Sequence, residues 1–412
     1  MTPEHWTTTT IGEHADILTG FAFKSDDYTS TDDDVKLLRG DNIAPQKLRW
    51  REVKRFPKAR AAEVARFGLR AGDFVVAMDR TWLPSGVKIA EVTETDLPCL
   101  LVQRVARLRA KRTLHQGLMK HLFSDHRFDQ YVRGIQTATA VPHISPMDLR
   151  EYPINLPPIS EQQRIAEILS TWDHSIELVE KLIANARTQK AAVMQALLTG
   201  HTRLPGFDGE WTWSKFSEVF ERVRDKNIVG DTNVLTISAQ HGLISQTEYF
   251  NKVVASDDVR GYTLLRRGDF AYNKSYSDGY PFGAFKPLDR YDQGIVSSLY
   301  ICFRLAGPGH NHDFMRHYFE AGLFNREVAA IAQEGARNHG LLNVSVVDFF
   351  DTSVHTPPSK EQRAIATVIN AAERKERLLT EQRKALREEK AALMQQLLTG
   401  KRLVTKAKSE AA

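Results

Sequence analysis

Between Pro157 and Gly200 apolar side chains recur at alternating steps of three and four: Ile165, Leu169, Trp172, Ile176, Val179, Ile183, Ala186, Val193 and Leu197. That spacing describes the seam of a coiled coil. Pro157 and Pro158 cannot continue a strand ladder, and Ser160 followed by Glu161 offers an N-cap and an acidic first turn. A helix is therefore predicted from about residue 160. Its stop is predicted at Gly200, because glycine accepts the left-handed C-terminal position without steric cost. Neither Pro nor Gly interrupts the span, and roughly 40 residues rising about 1.5 Å each would reach about 60 Å.

The same pattern returns 200 residues later. Pro157 through Gly200 aligns without gaps on Pro357 through Gly400, with 17 identities in 44 positions. Both copies open on Pro-Pro-x-x-Glu-Gln and close on Leu-Leu-Thr-Gly. The second seam keeps Ile365, Ile369, Ala372, Leu379, Leu386, Leu393 and Leu397, but sets Glu376, Arg383 and Lys390 on the same stripe. Lys190 and Lys390 hold equivalent seam positions, where snorkelling is the plain expectation and a register or partner contact the sharper one. Ahead of each helix the chain also corresponds, as in Leu69-Arg70-Ala71-Gly72-Asp73-Phe74 against Leu265-Arg266-Arg267-Gly268-Asp269-Phe270, and Ile144-Ser145 with Asp148 against Val344-Ser345 with Asp348. The chain thus reads as an internal duplication. Long amphipathic helices are unstable alone, so the two are expected to pack on each other, antiparallel, with the variable domains at opposite ends. Outer-face charges such as Glu373 and Arg377 would be solvated or face a partner protein.

The expected organisation is a first domain over 1–157, a long helix over 158–200, a second domain over 201–356, a second long helix over 357–400 and a basic, disordered tail over 401–412. Short apolar runs such as Phe74–Ala77, Leu100–Val102 and Leu299–Phe303 read as strands, with turn signals at Ala71-Gly72-Asp73 and Ser277-Asp278-Gly279. Helical patches at Leu118–Val132 and Asp313–Ala332 would close each domain. The fold class is α+β: two similar mixed α/β domains separated by two long antiparallel helices, with a pseudo-twofold repeat.

At 412 residues, 42% hydrophobic and 26% charged, the chain is long enough for two or three globular domains. Cys99 and Cys302 stand apart without a CxxC or Cys/His cluster, which supports neither a disulfide framework nor a zinc site and suits a reducing compartment. The N-terminal Met1–Trp6 lacks the features of a leader, and no apolar run approaches the roughly 20 residues of a membrane span. A cytoplasmic, unprocessed chain without membrane contact is expected.

The net charge of +5 is unevenly placed. Arg39 to Arg70 holds ten Lys and Arg against three acids, a polyanion footprint. A second cluster comprises Arg104, Arg107, Arg109, Lys111 and Arg112, though strand alternation could split it between two faces. In the second domain Asn273-Lys274-Ser275-Tyr276, followed by Gly279-Tyr280-Pro281-Phe282-Gly283, brings amide, cation and aromatic groups together. Asn pairs best with adenine and Lys with guanine; a plain surface loop is the bland alternative. The chain contains no GxxxxGK[ST] loop, no [DN]PP[YF], no HExxH, no GxSxG and no nuclease-like carboxylate-lysine set. His310 and His312 read as loop polarity, and no metal or catalytic residue is assigned.

These residues resemble the specificity subunit of type I restriction-modification systems. The most specific parts are the two Pro-Pro-x-x-Glu-Gln helix starts at Pro157-Glu161-Gln162 and Pro357-Glu361-Gln362, each closing on Leu-Leu-Thr-Gly. Leu18–Ser25 with Leu38–Ile43, and Tyr272–Ser275 through Gly294–Tyr300, also look like that family's target-recognition domains. The resemblance implies that each domain reads half of a bipartite sequence in double-stranded DNA and that the helices fix the spacer. It also implies docking of two methyltransferase subunits, which use S-adenosylmethionine to methylate adenine N6, and of restriction subunits using ATP and Mg. This chain would bind no cofactor and catalyse nothing. Candidate DNA contacts are Lys24, Arg39, Asn42, Lys47, Arg49, Arg51, Lys54, Arg55 and Arg80 in the first domain, and Lys226, Asn227, Asn273, Lys274, Tyr276 and Lys286 in the second. The competing reading is a protein-interaction scaffold whose two similar domains bind a partner without DNA.

Overall fold

A computed structural model of the chain describes residues 3–135, 142–238, 241–250, 258–277, 279–334 and 342–404. Most of the 401–412 tail and part of the Ser277-Asp278-Gly279 turn signal lie outside them. Two compact units divide the chain inside the long helices. One comprises Met1–Glu180 with Glu381–Ala412, and the other Lys181–Thr380. Each unit thus holds one variable domain, the opening half of the helix that follows it and the closing half of the other long helix.

In the first unit the central sheet is four antiparallel strands, β1 (Ala15–Thr19), β2 (Phe74–Ala77), β3 (Ile89–Glu91) and β4 (Val105–Ala110), in the order β1-β4-β2-β3. One face of it, with Phe74, Val76, Ala106 and Leu108, packs on Leu118, Met119 and Leu122 of α1 (Gln116–Ser124). The other face, with Val75, Ala77, Ala90 and Val105, meets Leu38, Leu69 and Leu101. Burial on both faces explains the unbroken apolar run Phe-Val-Val-Ala. A smaller sheet sets Val35–Leu38 between Cys99–Leu101, parallel, and Arg55–Phe56, antiparallel.

The second unit repeats the central sheet. Its strands are β5 (Phe220–Arg222), β6 (Phe270–Asn273), β7 (Ala284–Pro287) and β8 (Ile301–Leu305), ordered β5-β8-β6-β7. The strand expected over Leu299–Phe303 begins at Ile301, so Leu299 and Tyr300 precede it. Aromatic rings make up half of this unit's main core: Phe270 stacks on Phe303 at 5.4 Å and Tyr272 on Phe285 at 4.2 Å. Phe314, Phe319 and Phe324 close it, the first two from the helix His312–Glu320, α3 here. The expected helical patches are present, each broken once, into Gln116–Ser124 with His126–Ile135 and His312–Glu320 with Asn325–Ile331.

The LRxGDF correspondence is one turn built twice. Gly72 and Gly268 take φ of +86 and +90, which glycine adopts without a Cβ clash. Asp73 then accepts the Arg70 amide at 2.8 Å and both guanidinium arms of Arg109 at 2.6 and 2.7 Å. Asp269 accepts the Arg266 amide at 2.8 Å and Arg304 at 2.9 and 2.9 Å.

The long helices, α2 and α4 below, run over Ile159–Leu198 and Ser359–Leu398. Ser160 lies inside the first turn and is not the cap, because the Pro158 carbonyl accepts the amides of Glu161 and Gln162 at 2.9 and 3.0 Å. Gly200 and Gly400 end them with φ of +73 and +72. The Glu-Gln repeat is a docking device. Buried Gln162 accepts the His115 amide at 2.8 Å and donates to Pro157 O at 2.8 Å. Gln362 does the same with Asn311 and Pro357, at 2.8 and 2.8 Å. Buried Glu361 holds Arg203 in a bidentate pair, and Glu161 accepts from Trp6 Nε1 at 3.2 Å.

Within each unit the two helix halves run antiparallel. In the first unit Asp173 meets Lys390 at 2.5 Å and Glu180 meets Arg387 at 2.5 Å, while in the second Glu376 meets Lys190 and Arg187 at 2.7 and 2.7 Å. The seam follows the predicted stripe. Ile165, Leu169, Val179, Ile183, Leu197, Ile365, Ile369 and Leu397 are buried, and Trp172, Ile176, Leu379, Leu386 and Leu393 are half-buried. The lysines at 190 and 390 do not snorkel; each is drawn into a cross-helix ion pair. Glu373 is likewise not a solvated charge, since Arg316 of α3 binds it at 2.9 Å.

Candidate nucleic-acid interface

In the first unit the stretch following β1 projects its cations outward. Lys24, Lys47, Arg49, Arg51, Lys54 and Arg80 are exposed and make no ion pair among the described residues. Arg39 reaches Asp41 at 3.1 Å, and half-buried Arg55 is spent on Asp34 O at 3.0 Å and Asp32 at 3.1 Å. Asn42 cannot read a base: it is buried, accepting the Arg39 amide at 3.0 Å and donating to Arg49 O at 3.1 Å, and so builds the turn that presents its neighbours. Four of the five cations of the second basic cluster are engaged by neighbouring groups, although Arg104, Lys111 and Arg112 stay exposed. Arg107 pairs with Asp16, Arg109 with Asp73 and Arg104 with Asp79, and Lys111 binds the carbonyls of Gly12 and Glu13.

Beside this surface lies a cleft of about 440 Å³ lined by Tyr28, Arg39, Asp41, Asp79, Arg80, Lys88 and Arg104. Burial pushes the Lys88 ammonium below the ordinary lysine range, with Asp41 opposing the shift and Arg80 adding to it. Sequence reading missed Lys88, whose place in the cleft comes from the pairing of β3 with β2 rather than from any local motif. Arg80 and Arg104 both take left-handed φ, +46 and +61, a conformation that non-glycine residues hold only where surrounding structure imposes it.

The second unit presents a different surface. Asn227 is buried, exchanging hydrogen bonds with the amide and carbonyl of Asp231 at 2.8 and 2.8 Å. Lys286 is buried against Glu320 at 2.5 Å and Tyr280 Oη at 3.0 Å. Neither is free for DNA, because each is itself buried with its polar atoms already engaged. Lys226 is exposed but donates to Gly261 O at 2.8 Å, and Asn273 accepts the Ser275 amide at 3.1 Å. Lys274 is half-buried, whereas Tyr276 is 62% exposed. Ile228, Val229 and Leu299 are outward apolar side chains, the first two close in sequence to exposed Arg222, Arg224 and Lys226. A larger cavity of about 820 Å³ collects Lys190, Lys286, Arg290 and Arg316. Glu376, Glu320, Glu248 and Glu373 neutralise them one for one, so it offers a polyanion no net attraction.

Among the described residues no group of three His, Cys, Asp or Glu gathers as a metal site, and no helix is long and apolar enough to cross a membrane.

Residues 71–187 match the family described as Type I restriction modification DNA specificity domain. The chain is 32% identical over 190 residues to the type I restriction enzyme EcoAI specificity subunit of Escherichia coli, covering 46% of this chain and 31% of that one. It is 29% identical over 203 residues to the MjaVIII specificity subunit of Methanocaldococcus jannaschii, covering 49% and 47%. The chain therefore spans less than half the length of the curated relatives it matches. In fold it follows the crystal structure of a type I restriction-modification S subunit from M. genitalium, with a TM-score of 0.56 at 13% identity over 97% of this chain and 99% of that one. A chain from work on complex assembly and conformational transition of the type I R-M system matches with a TM-score of 0.55 at 17% identity, over 97% and 98%. The chain is thus similar to type I specificity subunits, and residues 71–187 match the model of their DNA specificity domain.

Proposed function

We propose that the chain is the DNA-reading subunit of a type I restriction-modification assembly. Each unit would read one half of a bipartite duplex target, and the paired helices would fix the gap between halves. The chain would perform no chemistry itself. Two methyltransferase subunits would bring S-adenosylmethionine and methylate adenine N6, and restriction subunits would bring ATP and Mg. The observation that carries this reading is the repetition of one sheet, one Asp-Arg turn and one glutamine-docked helix start in two units that differ in the residues they turn outward.

Phosphate contact by Lys47, Arg49, Arg51 and Lys54 would supply salt-dependent affinity, and side chains at the sheet ends would supply discrimination of about 1–3 kcal/mol per good bidentate base contact. The test is co-expression with the neighbouring methyltransferase subunit and genome-wide mapping of N6-methyladenine. A two-part motif with a fixed gap is expected. A stable complex that produces no new methylated motif would reject the reading in favour of a scaffold, as would retention on DNA that is indifferent to salt.

A further inference from the structure

The Asp-Arg turn supplies a common origin for comparing the units. Asp73, just before β2, and Arg109 on β4 correspond to Asp269 and Arg304, each pair locked by two hydrogen bonds. Seven residues beyond the aspartate, the chain leaving the strand carries Arg80 in the first unit and Tyr276 in the second. Five residues before the arginine, the chain entering the neighbouring strand carries Arg104 and Leu299. In both units these two strands are antiparallel partners, Ala77 opposite Val105 and Tyr272 opposite Ile301, so the exit of one adjoins the entrance of the other. One corner of the repeated sheet is therefore tipped by two arginines in the first unit and by two outward apolar side chains in the second. Tyr276 and Leu299 are 62% and 65% exposed.

The first corner is held rigidly. The Arg80 amide donates to Pro142 O at 2.7 Å, the Met78 amide to Arg104 O at 2.9 Å, and the Lys88 amide to Thr81 O at 2.7 Å. Within the cleft Arg104 is engaged by Asp79 at 2.6 Å, Arg39 by Asp41 at 3.1 Å, and Lys88 is half-buried. The Arg80 guanidinium is exposed and makes no ion pair among the described residues. A planar fork of donors on a fixed backbone matches the O6 and N7 acceptors of guanine, while an apolar side chain in the same place meets the thymine methyl group.

We propose that this corner reads one base pair in each half of the target, with Arg80 selecting guanine in the half bound by the first unit, and Tyr276 with Leu299 selecting thymine in the half bound by the second. The proposal rests on the DNA-reading function given above and assigns the residues that make the two halves differ.

The test uses the full chain in complex with its methyltransferase partner, with methylated-adenine motifs mapped for wild type, Arg80→Ala, Arg80→Lys and the pair Tyr276→Ala/Leu299→Ala. Arg80→Ala should turn one guanine position of one half-site degenerate, with about ten- to a hundredfold loss of preference. The other half-site and the gap should stay unchanged. Arg80→Lys should relax the same position, because an ammonium keeps the charge but not the fork. The Tyr276/Leu299 pair should relax one thymine in the opposite half. A wild-type motif unchanged in Arg80→Ala overturns the assignment alone. Methylation lost at every site in both Arg80 variants of an assembled complex also overturns it, making Arg80 a backbone contact. Absence of any motif for wild type removes the DNA-reading function and this inference together.

Discussion

Asp73 and Asp269 each organise a turn, cap a strand and anchor an arginine from the adjacent strand. The acids are nearly inaccessible; removing Asp73 leaves the half-buried Arg109 guanidinium without its partner, whereas Arg304 keeps Asp225 at 3.3 Å. Asp73→Ala should therefore cost the first unit about 3 kcal/mol, read as loss of hydrogen-exchange protection in β2 and β4. Protection unchanged there would make the lock ornamental. Buried His121 of α1 gives a pH dependence. Burial holds its imidazole at about 4, with Lys390 adding to the shift and Asp173 opposing it. Between its unfolded value near 6.5 and about 4 the unfolded chain binds a proton that the folded unit refuses, so stability falls as pH falls through that window, by up to about 1.4 kcal/mol per pH unit. His121→Gln should flatten that acid limb for the first unit; an unaltered limb refutes the assignment. At this scale the sequence exposed residue types but not their partners. Asn42 and Asn227 looked like base readers because an amide suits adenine, yet both close turns through contacts that only the folded backbone creates.

The long helices were the most legible elements, since a stripe sustained over ten turns is a local property and its glycine stop needs only one residue. Their pairing was less so. Two of the charges that make the second seam polar are matched from the first helix by residues 186 to 217 positions away: Glu376 by Lys190 and Arg187, and Lys390 by Asp173. The same lysine position thus meets an acid one turn further along in the second unit, since Asp173 corresponds to Glu373 rather than Glu376. These pairs stay half-exposed and each is worth about 1 kcal/mol at most, so they act chiefly by penalising other registers. Lys190→Glu or Glu376→Lys alone should loosen the second unit's helix pair, and the double exchange should restore it, with a coupling of about 1 kcal/mol in a double-mutant cycle. Additive effects would mean that the apolar seam alone sets the register.

At the scale of the molecule, the duplication was readable because the helix starts repeat at a constant offset, whereas the division into units was not. Segment boundaries suggested cuts at the helix ends, but Ile165 and Leu169 share a core with Leu397 and Leu398, and Leu197 and Leu198 share one with Ile365 and Ile369. Each unit is therefore completed by chain from both ends of the repeat, and α2 and α4 each pass from one unit into the other without a break. If those helices set the target gap, shortening them must change it without touching either reading surface. The deletion has to respect the seam: removing one heptad from each helix around Glu180 and Glu381 preserves the alternation of threes and fours, while removing four residues would turn one face away from its partner. Seven residues at 1.5 Å shorten each helix by about 10.5 Å, close to three base pairs at about 3.4 Å. The methylated motif of the shortened protein should keep both half-sites and lose about three base pairs of gap. A gap of the original length on a folded, methylating complex would show that the spacing is set by the docked methyltransferases rather than by this chain.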